Sequence, residues 1–338
     1  MKLTRRSVAL GIVTLLLAHS VESWPVPGLD IDRLTADASL IAVGQLTSVQ
    51  EVGKTTVQLG NRTFTARAMV AELHVDQVLK GTTERPSSSV SFHLVVPDEF
   101  IGWHSVTPLS YRVFFLAESS RELTLASPYY PSVVAIPGAE MQGGTPIERV
   151  IDQLGAVLES TQTPVQERRE AVFALSSTTS PAAIHALRRA AEVKDLTLRL
   201  SVAAALLEHN DISTLQLAED TLLKPDPTLS PDLLHNLSSA IFVGVKDERA
   251  VPSLTRLLHA SSIETRRAAA SALMHTGSSP CIDPLLSALN DPDLDVRYYS
   301  VVGLAEITGQ TDWRPNMDDF VSDQQRYLNH WKDWAKNR

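Results

Sequence analysis

An eight-residue pattern recurs along the second half of the chain and constrains its architecture more than any other feature. In Arg168–Leu175, Arg199–Leu206, Arg266–Leu273 and Arg297–Leu304, an arginine stands seven residues before a leucine, and a small residue directly precedes the leucine. A degenerate copy without the arginine lies at Leu234–Ile241. The intervals between the closing residues are 31, 35, 32 and 31. Val251–Leu258 and Asp283–Leu289 are further apolar-periodic segments, each just ahead of a copy. Such a period means helix pairs that cannot bury an apolar face alone and so stack into one continuous core.

These pairs resemble HEAT-like repeats, including the kind first named from phycobilisome lyases. The resemblance implies an α-solenoid, here about five pairs over residues 147–338. Small residues such as Ala171, Ala174, Ala269 and Ala272 let neighbouring helices approach, while Leu175, Leu206, Leu273 and Leu304 fill the core. Asp195 and Asp293, each four residues before a repeat arginine (Arg199 and Arg297), suit the N-cap of the second helix. Each aspartate can also pair with its own arginine or with one in the next repeat. The arginine ladder reads first as hydrogen bonding within the stack, with anion binding as the alternative. The residues after each ladder arginine, Arg169, Leu200, Arg267 and Tyr298, are expected as a row on the outside of the stack, bordered by His275 and Tyr299. Tyrosine and arginine are enriched at binding hot spots, which makes this row the candidate protein-binding face. Phe320, Gln324, Tyr327, Leu328, Trp331 and Ala335 share one face of a last helix. Trp331 is expected to cap the open end of the core.

The first half has a different period. Ser39–Val49, Phe64–Lys80, Val90–Val96, Tyr111–Ala117 and Glu122–Ala126 alternate apolar and polar residues, with a possible bulge at Gly44. Five short strands with turn residues between them suggest a small antiparallel barrel or sandwich over residues 29–137. Ala36–Gly44, Val75–Gly81 and Tyr111–Leu116 together resemble a domain of exported bacterial proteins that looks like the OB-type barrel of the tissue inhibitors of metalloproteinases. Those inhibitors depend on disulfides and an N-terminal cysteine. With Cys281 as its one cysteine, this chain departs from that pattern. Pro128, Pro131, Pro137, Gly138, Gly143, Gly144 and Pro146 crowd the stretch where the period changes, and residues 138–146 are read as the linker between the two halves.

At the start, Met1–Arg6 is basic, Ser7–Ala18 is almost wholly apolar, and small residues follow at Ser20 and Ser23. The apolar run rises only about 18 Å as helix, too short to span a bilayer. Residues 1–23 are therefore expected to be a cleavable signal peptide, with no membrane span after cleavage and a periplasmic or extracellular address. The signal carries Lys2, Arg5 and Arg6 against Glu22, so its removal makes the formal charge of −9 more negative by two. An acidic chain is not a nucleic-acid binder of the backbone-tracking kind.

Chemistry is sparse. No phosphate loop, His-Glu-x-x-His or nucleophile-elbow pentapeptide is present. Asn61–Thr63 and Asn236–Ser238 match the glycosylation triplet, which is common by chance. Glu72, His74 and Asp76 share one face of a strand, and His93 lies on the polar side of another. Paired strands would let these residues hold a divalent cation; otherwise they are the solvated face of a half-buried sheet. The sequence therefore reads as an α+β multidomain chain, an OB-like barrel followed by a HEAT-like solenoid with no cofactor and no catalytic set. The expected role is an exported, non-enzymatic scaffold for a protein or peptide partner. The alternatives are a lyase-like factor attaching an open-chain tetrapyrrole, or inhibitor-like binding through the β domain.

Overall fold

A computed structural model describes residues 28–59, 62–83, 89–98, 111–119, 122–127 and 129–338. The expected signal peptide (residues 1–23) and Asn61 of the first glycosylation triplet lie outside the described residues. The order is α1 (Ile31–Asp37), β1 (Leu40–Leu59), β2 (Arg62–Lys80), β3 (Ser89–Pro97), β4 (Tyr111–Ser119), β5 (Glu122–Leu125) and β6 (Ser132–Val134). Helices follow: α2 (Pro146–Glu159), α3 (Val165–Ser176), α4 (Pro181–Ala190), α5 (Leu196–Glu208), α6 (Leu215–Leu223) and α7 (Pro231–Gly244). The chain ends with α8 (Val251–Leu257), α9 (Ile263–Thr276), α10 (Ile282–Ala288), α11 (Leu294–Thr308), α12 (Met317–Ser322) and α13 (Gln324–Lys336).

The strands form one six-stranded sheet. β1, β2 and β3 are an antiparallel meander, and β1 pairs on its other side with β4. β5 pairs antiparallel with β4 and parallel with β3 at His93 opposite Thr124, and β6 adds to β4. The register of β1 on β2 shifts between Val43 and Gly44. A Cβ at Gly44 would stand 1.9 Å from the His74 carbonyl oxygen, so the bulge brings two backbones closer than any side chain permits.

Alternation along β1 and β4 separates two apolar faces. Leu40, Ala42, Leu46, Phe114 and Leu116 join Leu73, Val75, Phe92 and Leu94 inside the sheet. Ile41, Val43, Val113 and Phe115 point the other way and join α1, β6 and α2–α5 in a second core. This is why Phe114 and Phe115 are consecutive and both buried. The far halves of β1 and β2 pair to the end of the hairpin with most positions outside either core, and Val52 there is exposed.

The connector is held by specific bonds. The Asp152 carboxylate accepts from the Gln142 and Gly143 amides at 2.7 Å each. Thr145 and Glu148 make a capping box at the start of α2. Arg149 donates to the Gly143 and Gly144 carbonyls and also to that of Leu79 on β2, at 3.1 Å.

Beyond it, five helix pairs stack. The second helices, α3, α5, α7, α9 and α11, pack on one another in order as an inner layer. Close approach is built in at Gly244 of α7, where a Cβ would stand 2.0 Å from the Leu207 carbonyl oxygen of α5. A core of alanines and leucines runs from α5 to α13, where Phe320, Tyr327, Leu328 and Trp331 are buried.

Candidate binding groove

Three of the ladder arginines reach backbone carbonyls in the last turn of the preceding helix or in the turn just beyond it. Arg168 donates through Nε and Nη2 to the Leu158 carbonyl at 2.8 and 2.6 Å. Arg266 reaches the Ala260 carbonyl and the Asp291 carboxylate, the latter at 2.8 Å. Arg297 reaches the Asp291 and Pro292 carbonyls and the Gln324 side chain of the terminal helix. At Leu158, in the last turn of α2, the cation satisfies a carbonyl left without an intrahelical partner and complements the helix dipole. Arg199 departs from the series: its Nε is buried without a hydrogen-bond partner among the described residues.

The two aspartates are caps. Asp195 accepts from the Leu198 amide at 2.8 Å. Asp293 accepts from the Asp295 and Val296 amides and also receives Arg267 of the preceding repeat. That guanidinium holds the Asp293 carboxyl below the usual carboxylate range.

The expected row of residues after the arginines is not a free surface. Leu200 is fully buried, in the core that α5 shares with α7. The row lies over the seam between neighbouring inner helices, so an apolar side chain is drawn in while a long cation reaches out. Arg267 leaves the seam for Asp293 and Asp295, at 2.7 and 2.9 Å. Tyr298 packs on Tyr299 and Phe320, and Tyr299 in turn on Phe242. Burial and the charge of Asp295 push the Tyr299 hydroxyl pKa up. His275 is exposed and faces the Ser271 hydroxyl at 3.3 Å.

The polar strand residues do not converge either. Register sets His93 opposite Val70 and His74 opposite Ser89, four residues apart on β2. His74 lies 3.4 Å from Asp76, His93 lies 3.7 Å from Glu122, and Glu72 stands opposite Ser91. No group of three His, Cys, Asp or Glu placed to hold a metal occurs among the described residues. Desolvation, then the Asp76 charge and a hydrogen bond to it, push the Tyr111 hydroxyl up to about 12. Cys281 is buried and its thiol is raised by desolvation, the opposite of an activated nucleophile.

A groove of about 710 Å³ lies where β4 and the β6 edge meet α3, α5 and α7. Its β-side wall is Arg112, which donates to Ser132 Oγ at 2.7 Å and pairs with Glu170 of α3. Phe173, 53% exposed, stands in the groove beside Arg169. Ser201 and Ala204 of α5 lie between Phe173 and Asn236 of α7 in the stack, and Glu208 ends α5. Partial desolvation raises the Glu208 carboxyl pKa, against the charge of His209. Of the expected surface residues, Arg169 alone lines this groove. A signal for it was present in the repeats: two residues before the closing leucine, Phe173 replaces the smaller Ala204, Ser271 and Val302.

Residues 230–305 match the family model of HEAT repeats, and residues 167–192 match that of the PBS lyase HEAT-like repeat. The helical part of the chain is thus a HEAT-like repeat region preceded by a β domain. No curated protein matches the chain. A solved structure of human deoxyhypusine hydroxylase in complex with glycerol is 16% identical, covering 56% of this chain and 95% of its own, with a TM-score of 0.21. That score is too low to add to the reading of the fold.

Proposed function

We propose that this chain is an exported, non-enzymatic binding scaffold that receives a protein or peptide partner where the repeats meet the β domain. The groove carries this reading: an exposed aromatic in a concave site with both charge signs and few internal pairs is a recognition surface, not a packed core. HEAT-like repeats offer long continuous faces for such contacts. The pairing order β1-β2-β3-β5-β4, with β4 returning to β1, supports an OB-like barrel in the N-terminal half. The basic, apolar and small-residue start supports export.

A photo-crosslinking residue at Phe173 tests the scaffold reading, with one at exposed Val321 of α12 as the control, in cells that make the protein. A discrete adduct at position 173 and none at 321 is the expected result. Equal labelling at both, or none at either, removes the proposal.

The PBS lyase HEAT-like match favours a second reading, since it covers α3 from residue 167 onward and therefore Arg169 and Phe173. A cofactor-attachment factor would take up an open-chain tetrapyrrole. Purified protein that gains no visible absorbance after bilin incubation rules this out.

A further inference from the structure

In two of the later repeats the residue after the ladder position bridges to an acidic residue of the next inner helix. His235 faces Glu264 at 3.3 Å, and Arg267 pairs with Asp295 at 2.9 Å. At Arg169 the next helix offers Thr197 in that place, so the bridge has no acidic acceptor. Among the described residues Arg169 has no ion-pair partner, although it lines the groove. Glu208 is the second charged group there without an ion-pair or hydrogen-bond partner among the described residues. Desolvation raises its pKa, while the neighbouring His209 lowers it. Phe173, one turn beyond Arg169 on α3, lines the same groove.

The spacing of these groups follows from the helices. The C-terminal ends of α3 and α5 meet where His209 Nε2 lies 3.0 Å from the Ser176 carbonyl oxygen. Glu208 therefore sits level with Ser176, seven residues from Arg169 and about 10 Å along the α3 axis. An extended peptide covers that distance in about three residues. The Ser201 hydroxyl oxygen and the Asn236 amide lie along the same groove and suit backbone amides.

Resting on the scaffold reading, we infer that the groove's occupant is an extended peptide segment of mixed charge. It presents a carboxylate to Arg169, an apolar side chain to Phe173 and a cationic side chain to Glu208. Opposite unpaired charges at this distance select order and spacing along the peptide, not merely its net charge.

Fluorescence anisotropy with labelled, C-amidated peptides tests this. Each peptide carries one aspartate and one lysine about three positions apart with phenylalanine between them, in both orders, against scrambles of equal composition. One order should bind about tenfold tighter than its scramble, as charge-assisted contacts allow. Arg169→Gln and Glu208→Gln should each remove most of that difference. The double variant Arg169→Glu with Glu208→Arg should favour the opposite order, with circular dichroism confirming that it folds. Equal binding of ordered and scrambled peptides by the folded protein, or preference unchanged in the Gln variants, overturns the peptide assignment. If the crosslink at position 173 still forms in that case, the scaffold reading stands and its occupant is of another kind. If it too is absent, both fall.

Discussion

Arg267 of one repeat grips Asp293, the cap of the next inner helix, through two bonds of 2.9 and 2.7 Å. Asp293 thereby does two jobs, accepting α11 amides and anchoring the preceding repeat. This pair adds a polar link between neighbouring repeats to the apolar core they share.

Asp293→Ala should therefore cost more than an ordinary cap, about 2 kcal/mol, because both the cap and the anchor are lost. Asp293→Asn keeps the cap and should cost about half as much. Arg267→Glu reverses one side of the bridge beside two aspartates and should destabilise as well, where a free surface position would be neutral. Urea unfolding of the three variants checks the order.

Acid should weaken the solenoid. Arg267 depresses the Asp293 pKa from 3.8, and Arg256, bound to Glu219, depresses that carboxyl from 4.5. Their folded-state pKa values lie below the unfolded ones, so their stabilisation is present above about pH 4.5 and is lost as pH falls through the folded values. Melting temperature should drop below that pH, and less so in Arg267→Ala, which has already lost part of the linkage.

How much of this was legible follows from what each residue meets. The arginine-to-leucine repeat was readable because each copy is an inner helix that packs beside another copy. Asp195 and Asp293 were readable as caps because capping is local. Leu200 was misplaced outside because its place over the seam depends on the helix across from it. β6 was missed: its three residues are too few for a period. The groove was illegible as a whole, since Arg112 and Ser132 join residues of α3, α5 and α7 only through tertiary packing.

The connector invites a cut whose outcome the shared core decides. Ile41, Val113, Phe115 and Val133 of the strands pack in one cluster with Val150, Leu154 and Val157 of α2. Separating the halves would expose that face on both sides, at roughly 25 cal/mol per Å² of apolar surface. A protease site inserted between Gly138 and Gly143 should thus give two fragments that co-elute in native gel filtration and part only in denaturant. Fragments that separate and remain folded would show two independent cores.

Trp331 closes the far end, fully buried against the last repeats with Trp334 at 5.5 Å between ring centres. Trp331→Ala should cost about 3–5 kcal/mol, the range for truncating a buried aromatic. Trp331→Phe should differ sharply from this. Its Nε1–H is buried with no hydrogen-bond partner among the described residues, so phenylalanine removes a desolvated donor as well as some volume. Losing that unsatisfied group offsets part of the cavity, and the net cost should stay below about 1.5 kcal/mol. If Trp331→Phe destabilises as much as Trp331→Ala in denaturant titration, the indole nitrogen is making a bond that stabilises the cap. If neither variant moves the transition, the last helix is not what closes the core.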